Sequence, residues 1–214
     1  MTEPIVVVGA GGFGRETLDV LDAINVAAPE PVWQVLGVVD DFPAPENLDR
    51  LARRGVAFLG TSAEFLANNT EAAYVIGIGS PAVRRTLANR LDEAGLKAAT
   101  LIHPAASLGF DVEVGLGSVI CAGARLTTNI RLGRHTHMNL NATIGHDAVL
   151  GDFVSLNPLA SVSGDCVIED DVLIGVAGVV LNQLTVGQGA VVGGSACVVR
   201  NVPAGATVKG VPAR

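Results

Sequence analysis

Hydrophobic residues follow one spacing up to about residue 100 and another beyond it. In the first part, short β-branched runs alternate with amphipathic ones. Residues 5–8 (Ile-Val-Val-Val) predict a strand. Residues 13–24 predict a helix, with Phe13, Leu18, Leu21 and Ile24 apolar and Arg15, Glu16, Asp19 and Asp22 polar. A second strand is predicted over 35–39, followed by Asp40 and Asp41, and a third over 73–78. A helix over 81–93 opens on Ser80 and Pro81, a capping residue and then a proline whose missing N–H is harmless at that position. Such alternation implies a parallel sheet with helices packed on it. The stretch is short for a full dinucleotide-binding fold, so a truncated, Rossmann-like α/β domain is expected over 1–100.

From Ile102 to Val198 every sixth residue is aliphatic or, at Met138, methionine: seventeen positions with no break in phase. An α-helix turns every 3.6 residues and cannot produce this period. A short strand and a turn per unit can, with the first residue of each unit pointing inward. Three units close a triangular coil, and coils stack about 4.8 Å apart. Small residues such as Ala106, Ala124, Ala142 and Ala160 favour the fifth place, read as the corner. Glycines such as Gly115, Gly133, Gly151, Gly175 and Gly187 favour the second, where a tight bend is expected. Phe153, Leu159, Val179 and Leu181 fall at outward places, so an apolar face that associates with further copies is expected. Residues 101–214 are thus predicted to be a parallel β-helix with a C-terminal tail.

Composition narrows the function classes. With 49% apolar and 16% charged residues, the chain is ordered. A net charge of −7 without a basic stripe gives nucleic acid no electrostatic footing. Cys121, Cys166 and Cys197 sit in apolar repeats with no metal-ligand spacing and read as buried thiols. The apolar start is too short for a signal peptide, and no apolar run could cross a bilayer, so a cytoplasmic protein without membrane insertion is expected.

Two places carry candidate chemistry. Gly9, Gly11 and Gly14 fit G-x-G-x-x-G between a strand and a helix, where backbone amides favour phosphate. Alone, this points to NAD, with Asp40 as the ribose-binding acid. Ile78, Gly79 and Ser80 end the third strand on the same sheet edge. No hydride-transfer domain follows. The second place is His146, whose side chain type titrates near neutrality and whose neighbour Asp147 is placed to orient it. Stacking every eighteen residues sets Thr128 below His146 and Gly164 above it, leaving bare backbone beside the ring. His135 and His137 alternate on one strand, but His137 is half a coil from His146; no metal site is expected.

The repeat resembles the left-handed β-helix hexapeptide acyltransferases, which is the source of the handedness expected here. The start Val8-Gly9-Ala10-Gly11-Gly12-Phe13-Gly14-Arg15-Glu16, the Asp40-Asp41-Phe42 segment, Ile144-Gly145-His146-Asp147 and the ending Lys209-Gly210-Val211-Pro212-Ala213-Arg214 occur together in that order. This arrangement resembles the NeuD/PglD family of bacterial sugar O- and N-acetyltransferases over essentially the whole chain. The resemblance implies an acetyl-CoA-dependent homotrimer in which His146 is the general base, assisted by Asp147, and the Gly164 amide binds the acetyl carbonyl. It places coenzyme A in a groove between two β-helices, with backbone contacts from Gly175 and Val176 and a phosphate contact from Lys209. His137 is then expected to face a neighbouring subunit. By the same resemblance Gly11, Gly12, Phe13, Gly14, Asp40, Asp41, Ile78 and Gly79 hold the nucleotide of a UDP-sugar, and the acceptor is that sugar's amino group. Two other readings stand beside this one: an O-acetyltransferase acting on sialic acid or a related hydroxyl, and a non-catalytic β-helix scaffold.

Overall fold

A computed structural model describes residues 2–68 and 71–214. It falls into two compact units, one ending at Leu101 and the other Ile102–Arg214.

The first unit runs β1 (Glu3–Val8), α1 (Gly12–Ala27), β2 (Trp33–Val39), α2 (Pro45–Arg54), α3 (Ser62–Asn68), β3 (Ala73–Ile76), α4 (Pro81–Glu93) and β4 (Lys97–Ala98). The strands pair in parallel in the order β2-β1-β3-β4. From β1 the chain goes first to one side of the sheet and later to the other, which opens a crevice at the strands' C-terminal ends. Ile5 to Val8 are buried, as expected of a central strand covered on both faces. The expected elements are present, although β3 stops two residues early. There Gly77 packs so closely on the start of α1 that a Cβ on it would strike the Gly14 backbone. Ser80 takes the N-cap position of α4, but its side chain makes no capping bond, so Pro81 alone marks that start.

Helices α2 and α3 were not expected. α2 is short and buries only Leu51. Its ends carry the signal instead: Pro45 and Glu46 in the first turn, Arg53 and Arg54 in the last, and Gly55 closing it at φ 72°.

In the second unit, strands of two or three residues form parallel sheets of five, seven and six strands among the described residues. Partners such as Arg131 and Val149, His137 and Ser155, and Thr143 and Ser161 each lie one 18-residue coil apart. The sixth-place aliphatics are buried from Ile120 to Val198, each contributing about 1.5–3 kcal/mol of transfer free energy. Ile102, Leu108 and Val114 stay partly exposed in the first coil, which has no coil beneath it. Of the fifth-place alanines, Ala124, Ala142 and Ala160 are fully buried, because these side chains also point into the narrow prism, while Ala106 in the first coil is partly exposed.

The bends lie at the fourth place, not the second. Asn129, His135, Asn141, Asp147 and Asp165 all have φ between 51° and 58°. Asn and Asp tolerate this left-handed backbone better than other side chains. The second-place glycines answer a different need: on Gly175 a Cβ would lie 2.6 Å from the Gly194 nitrogen of the next coil. Phe153, expected outside, is buried and stacks on His135 with ring centroids 5.1 Å apart. His137, expected to face another subunit, is 1% exposed. Leu159 and Leu181 are exposed as anticipated. Cys121 and Cys166 are buried free thiols, and Cys197 is half-buried. Among the described residues no helix is long and apolar enough to cross a membrane.

Candidate active site

His146 sits on an exposed turn after the strand Thr143–Ile144. Its Nδ1 lies 2.7 Å from Asp147 Oδ2, and Asp147 Oδ1 accepts a 2.9 Å hydrogen bond from Asn129 Nδ2 one coil below. The Asn129 and His146 hydrogen bonds hold the Asp147 carboxyl below its ordinary range despite a smaller opposing effect of burial. An ionised Asp147 makes Nδ1 the donor and leaves the Nε2 lone pair to act as a base. The ring lies over Gly164: a Cβ there would come within 2.6 Å of Cε1 and Nε2. Among the described residues the Gly164 N–H donates to no acceptor, so a base and an amide donor stand side by side. Asp165, on the same turn as Gly164, completes an exposed triangle with His146 and Asp147, their polar atoms within 4.8 Å of one another.

Of the residues expected at coenzyme A, Val176 is half-exposed and its N–H has no acceptor among the described residues. Gly175 differs. Its N–H donates to Val192 and its carbonyl accepts from Gly178, so the coil ladder already engages both groups. Lys209 is exposed, and its stem covers Gly193.

In the first unit, the crevice at the strand ends is a cavity of about 310 Å³ lined by Asp40, Asp41, Phe42, Ile78, Val83 and Arg90, together with Val8, Thr86 and Leu87. Asp40 fastens two loops: Oδ2 accepts from the Ala10 N–H and Oδ1 from the Phe42 N–H, both at 2.8 Å. Asp41 accepts from the Ser62 N–H and hydroxyl and from Arg90 Nη1. Burial pushes the Asp41 carboxyl up, but the Ser62 and Arg90 interactions outweigh it, and the group is held below the usual carboxylate value. Gly11, Gly12 and Gly79 have open space where a Cβ would stand, and none has a left-handed φ. Packing does not require glycine there, whereas close approach of a ligand to the backbone would. Gly14 is required by packing, because its Cβ would strike the Gly9 carbonyl. Phe13 follows Gly12 in the first turn of α1 and is half-buried.

The model of the PglD N-terminal domain matches residues 4–91. The chain is 31% identical over 139 residues to the GDP-perosamine N-acetyltransferase of Escherichia coli O157:H7, a stretch covering 65% of this chain and 60% of that one. The structure of WeeI from Acinetobacter baumannii AYE is 30% identical, with a TM-score of 0.85 over 100% of this chain and 99% of that one. The chain belongs to the NeuD/PglD family. A further similar structure is the acetyltransferase domain of PglB from Neisseria gonorrhoeae FA1090, determined in complex with acetyl coenzyme A. It is 26% identical, with a TM-score of 0.84 over 100% of this chain and 99% of that one. The second unit is accordingly the left-handed β-helix of these acetyltransferases.

Sequence reasoning missed several residues in this NeuD/PglD chain. Val83, Thr86, Leu87 and Arg90 come to the cavity from one face of α4, and their three- and four-residue spacing was the available signal. Asp165 was missed because it looks like one more turn residue. Asn129 lies eighteen residues before Asp147, so the stacking that placed Gly164 beside His146 also places Asn129 beneath Asp147.

Proposed function

We propose that this chain transfers an acetyl group from acetyl-CoA to the amino group of a nucleotide-linked amino sugar, with His146 as general base. The observation that carries the reading is the His146 ring, held through Nδ1 by Asp147, which Asn129 holds in turn, and lying with Nε2 over the bare backbone of Gly164. The acceptor nitrogen attacks the thioester carbonyl, and its proton passes to Nε2. The Gly164 N–H takes the developing oxyanion, and the C–S bond breaks as the C–N bond is completed. The imidazolium then returns the proton to the departing thiolate.

In this reading the first unit holds the acceptor's nucleotide. Gly11, Gly12, Phe13 and Gly14 meet the phosphates, the cavity bounded by Asp40, Asp41 and Ile78 takes the base and ribose, and Gly79, next in the chain after Ile78, lets the ligand approach the backbone. Binding this remote part of the substrate positions the amine without touching the reacting atoms. Coenzyme A contacts Val176, Gly175 and Lys209 in a homotrimer, and the enzyme works in the cytoplasm on a UDP-linked sugar. The curated relative named for a GDP-linked sugar supplies the competing acceptor for assay.

A His146→Ala variant keeps acetyl-CoA binding and loses about 10²–10⁴-fold in turnover, followed as thiol release with UDP-, GDP- and dTDP-linked amino sugars and with free sialic acid as control. Wild-type turnover in that variant removes His146 as the base. Turnover with sialic acid alone moves the activity to a hydroxyl acceptor.

A further inference from the structure

We infer that Asp165 is a positioning residue for this reaction: its negative charge stabilises the imidazolium formed when His146 takes the acceptor proton. The inference rests on the reading of His146 as the base.

Asp165 lies one coil above Asp147, at the same left-handed turn position, with φ 56°. A carboxylate oxygen of Asp165, an imidazole nitrogen of His146 and a carboxylate oxygen of Asp147 lie within 4.8 Å of one another, and all three residues are exposed. The only hydrogen bond of Asp165 among the described residues is through its backbone, from its N–H to the His146 carbonyl at 2.8 Å. No cation pairs with its carboxylate there, so the charge stands uncompensated beside the ring. Turn geometry does not require that charge, because Asn129 and Asn141 occupy equivalent turns with φ 56° and 58°.

Around His146, Asp147 on its own turn and Asp165 on the turn above are the charged groups of the triangle. The turn below offers Thr128 and Asn129, and the second turn above offers Asn182 and Gln183, all uncharged. Asp147 already fixes the ring through Nδ1. A second carboxylate adds no hydrogen bond to the ring, and acts by field. Proton transfer turns a neutral ring into a cation, and two carboxylates stabilise the cation more than one does. The same proton then leaves with the coenzyme A thiolate, so the charge on the site is restored at each turnover.

The size follows from distance. At 4.8 Å, the outer bound of the triangle, a unit charge in water-like dielectric favours a cationic ring by about fourfold. Asp165→Asn removes that charge while keeping a side chain suited to the turn. The chain has four histidines, so ring titrations of the labelled full-length protein can be followed by NMR, with His146→Ala assigning the signal. In Asp165→Asn the His146 midpoint falls by about half a pH unit at low salt and by less at 1 M salt, where charges this exposed are screened. The acid limb of kcat/KM moves to lower pH with it, and KM for acetyl-CoA is unchanged. An unchanged or raised midpoint overturns the inference. A lowered midpoint with an unmoved acid limb overturns His146 as base, and the catalytic part of the inference with it.

Discussion

Replacing Gly164 with alanine separates the geometry of the site from the stability of the coil. The added Cβ would lie 2.6 Å from His146 Cε1 and Nε2 and 3.0 Å from Cδ2. Non-bonded carbons rest at about 3.5–4.0 Å, so the ring must retreat by about 1 Å. Gly164 has no left-handed φ, and alanine fits its backbone and keeps the amide donor. The His146 side chain is 53% exposed and can swing outward, so the fold loses little. Melting temperature should stay within about 3 °C of wild type. Turnover should not, because a reacting group misplaced by about 1 Å costs on the order of 10²-fold. Thiol release under saturating acetyl-CoA gives kcat, and a thermal melt run beside it gives stability. The double variant Gly164→Ala/His146→Ala closes the cycle: if the alanine acts by displacing the base, it subtracts nothing further once the base is gone. Turnover within about twofold of wild type in the single variant, with a normal melt, would show that the ring is not used where it lies. Fully additive losses would assign the defect to the incoming thioester.

Two further outcomes follow from the same structure. Gly175→Ala behaves in the opposite way: its Cβ meets the Gly194 nitrogen at 2.6 Å and the Gly193 carbonyl carbon at 2.9 Å, both backbone. Nothing flexible can yield, so the loss of about 1–3 kcal/mol appears in the denaturation midpoint before it appears in turnover; an unchanged midpoint would mean that the coils are not packed this closely. Asp41 sets an acid dependence. Its carboxyl is held low by Ser62 and Arg90 against burial, so its contribution is complete above the ordinary aspartate value of about 3.9 and is lost as pH falls through the depressed one. Asp41→Asn should flatten the decline of stability below about pH 4, read as denaturation midpoint against pH, and an identical decline in the variant would place the acid sensitivity elsewhere.

Legibility in the sequence tracked how directly a pattern expresses packing. The sixth-place aliphatics were plain because each points into a prism too narrow for anything else, and the period survives even where single residues vary. The glycines were plain as a pattern and misleading as a cause. A glycine marks either a left-handed backbone or a close approach, and sequence alone does not say which; here Gly175 marks approach, while the left-handed bends fall to Asn129, Asp147 and Asp165. α2 was missed because periodicity finds buried stripes, and this helix buries Leu51 alone. The cavity was half legible: strand ends such as Asp40 and Ile78 announce themselves, whereas the α4 residues that close it look like ordinary helix.

The His146 turn shows the same division from within. His146 and Gly164 could be paired by counting eighteen residues, because stacking is rigid along the coil axis. Counting also sets Asp165 above Asp147, yet it cannot tell a charge kept for its field from a side chain kept for its turn, since aspartate and asparagine serve the turn alike. Only the surroundings separate the two. Asp147 is engaged by Asn129 and His146, whereas among the described residues the Asp165 carboxylate is engaged by nothing, beside the ring proposed as the base.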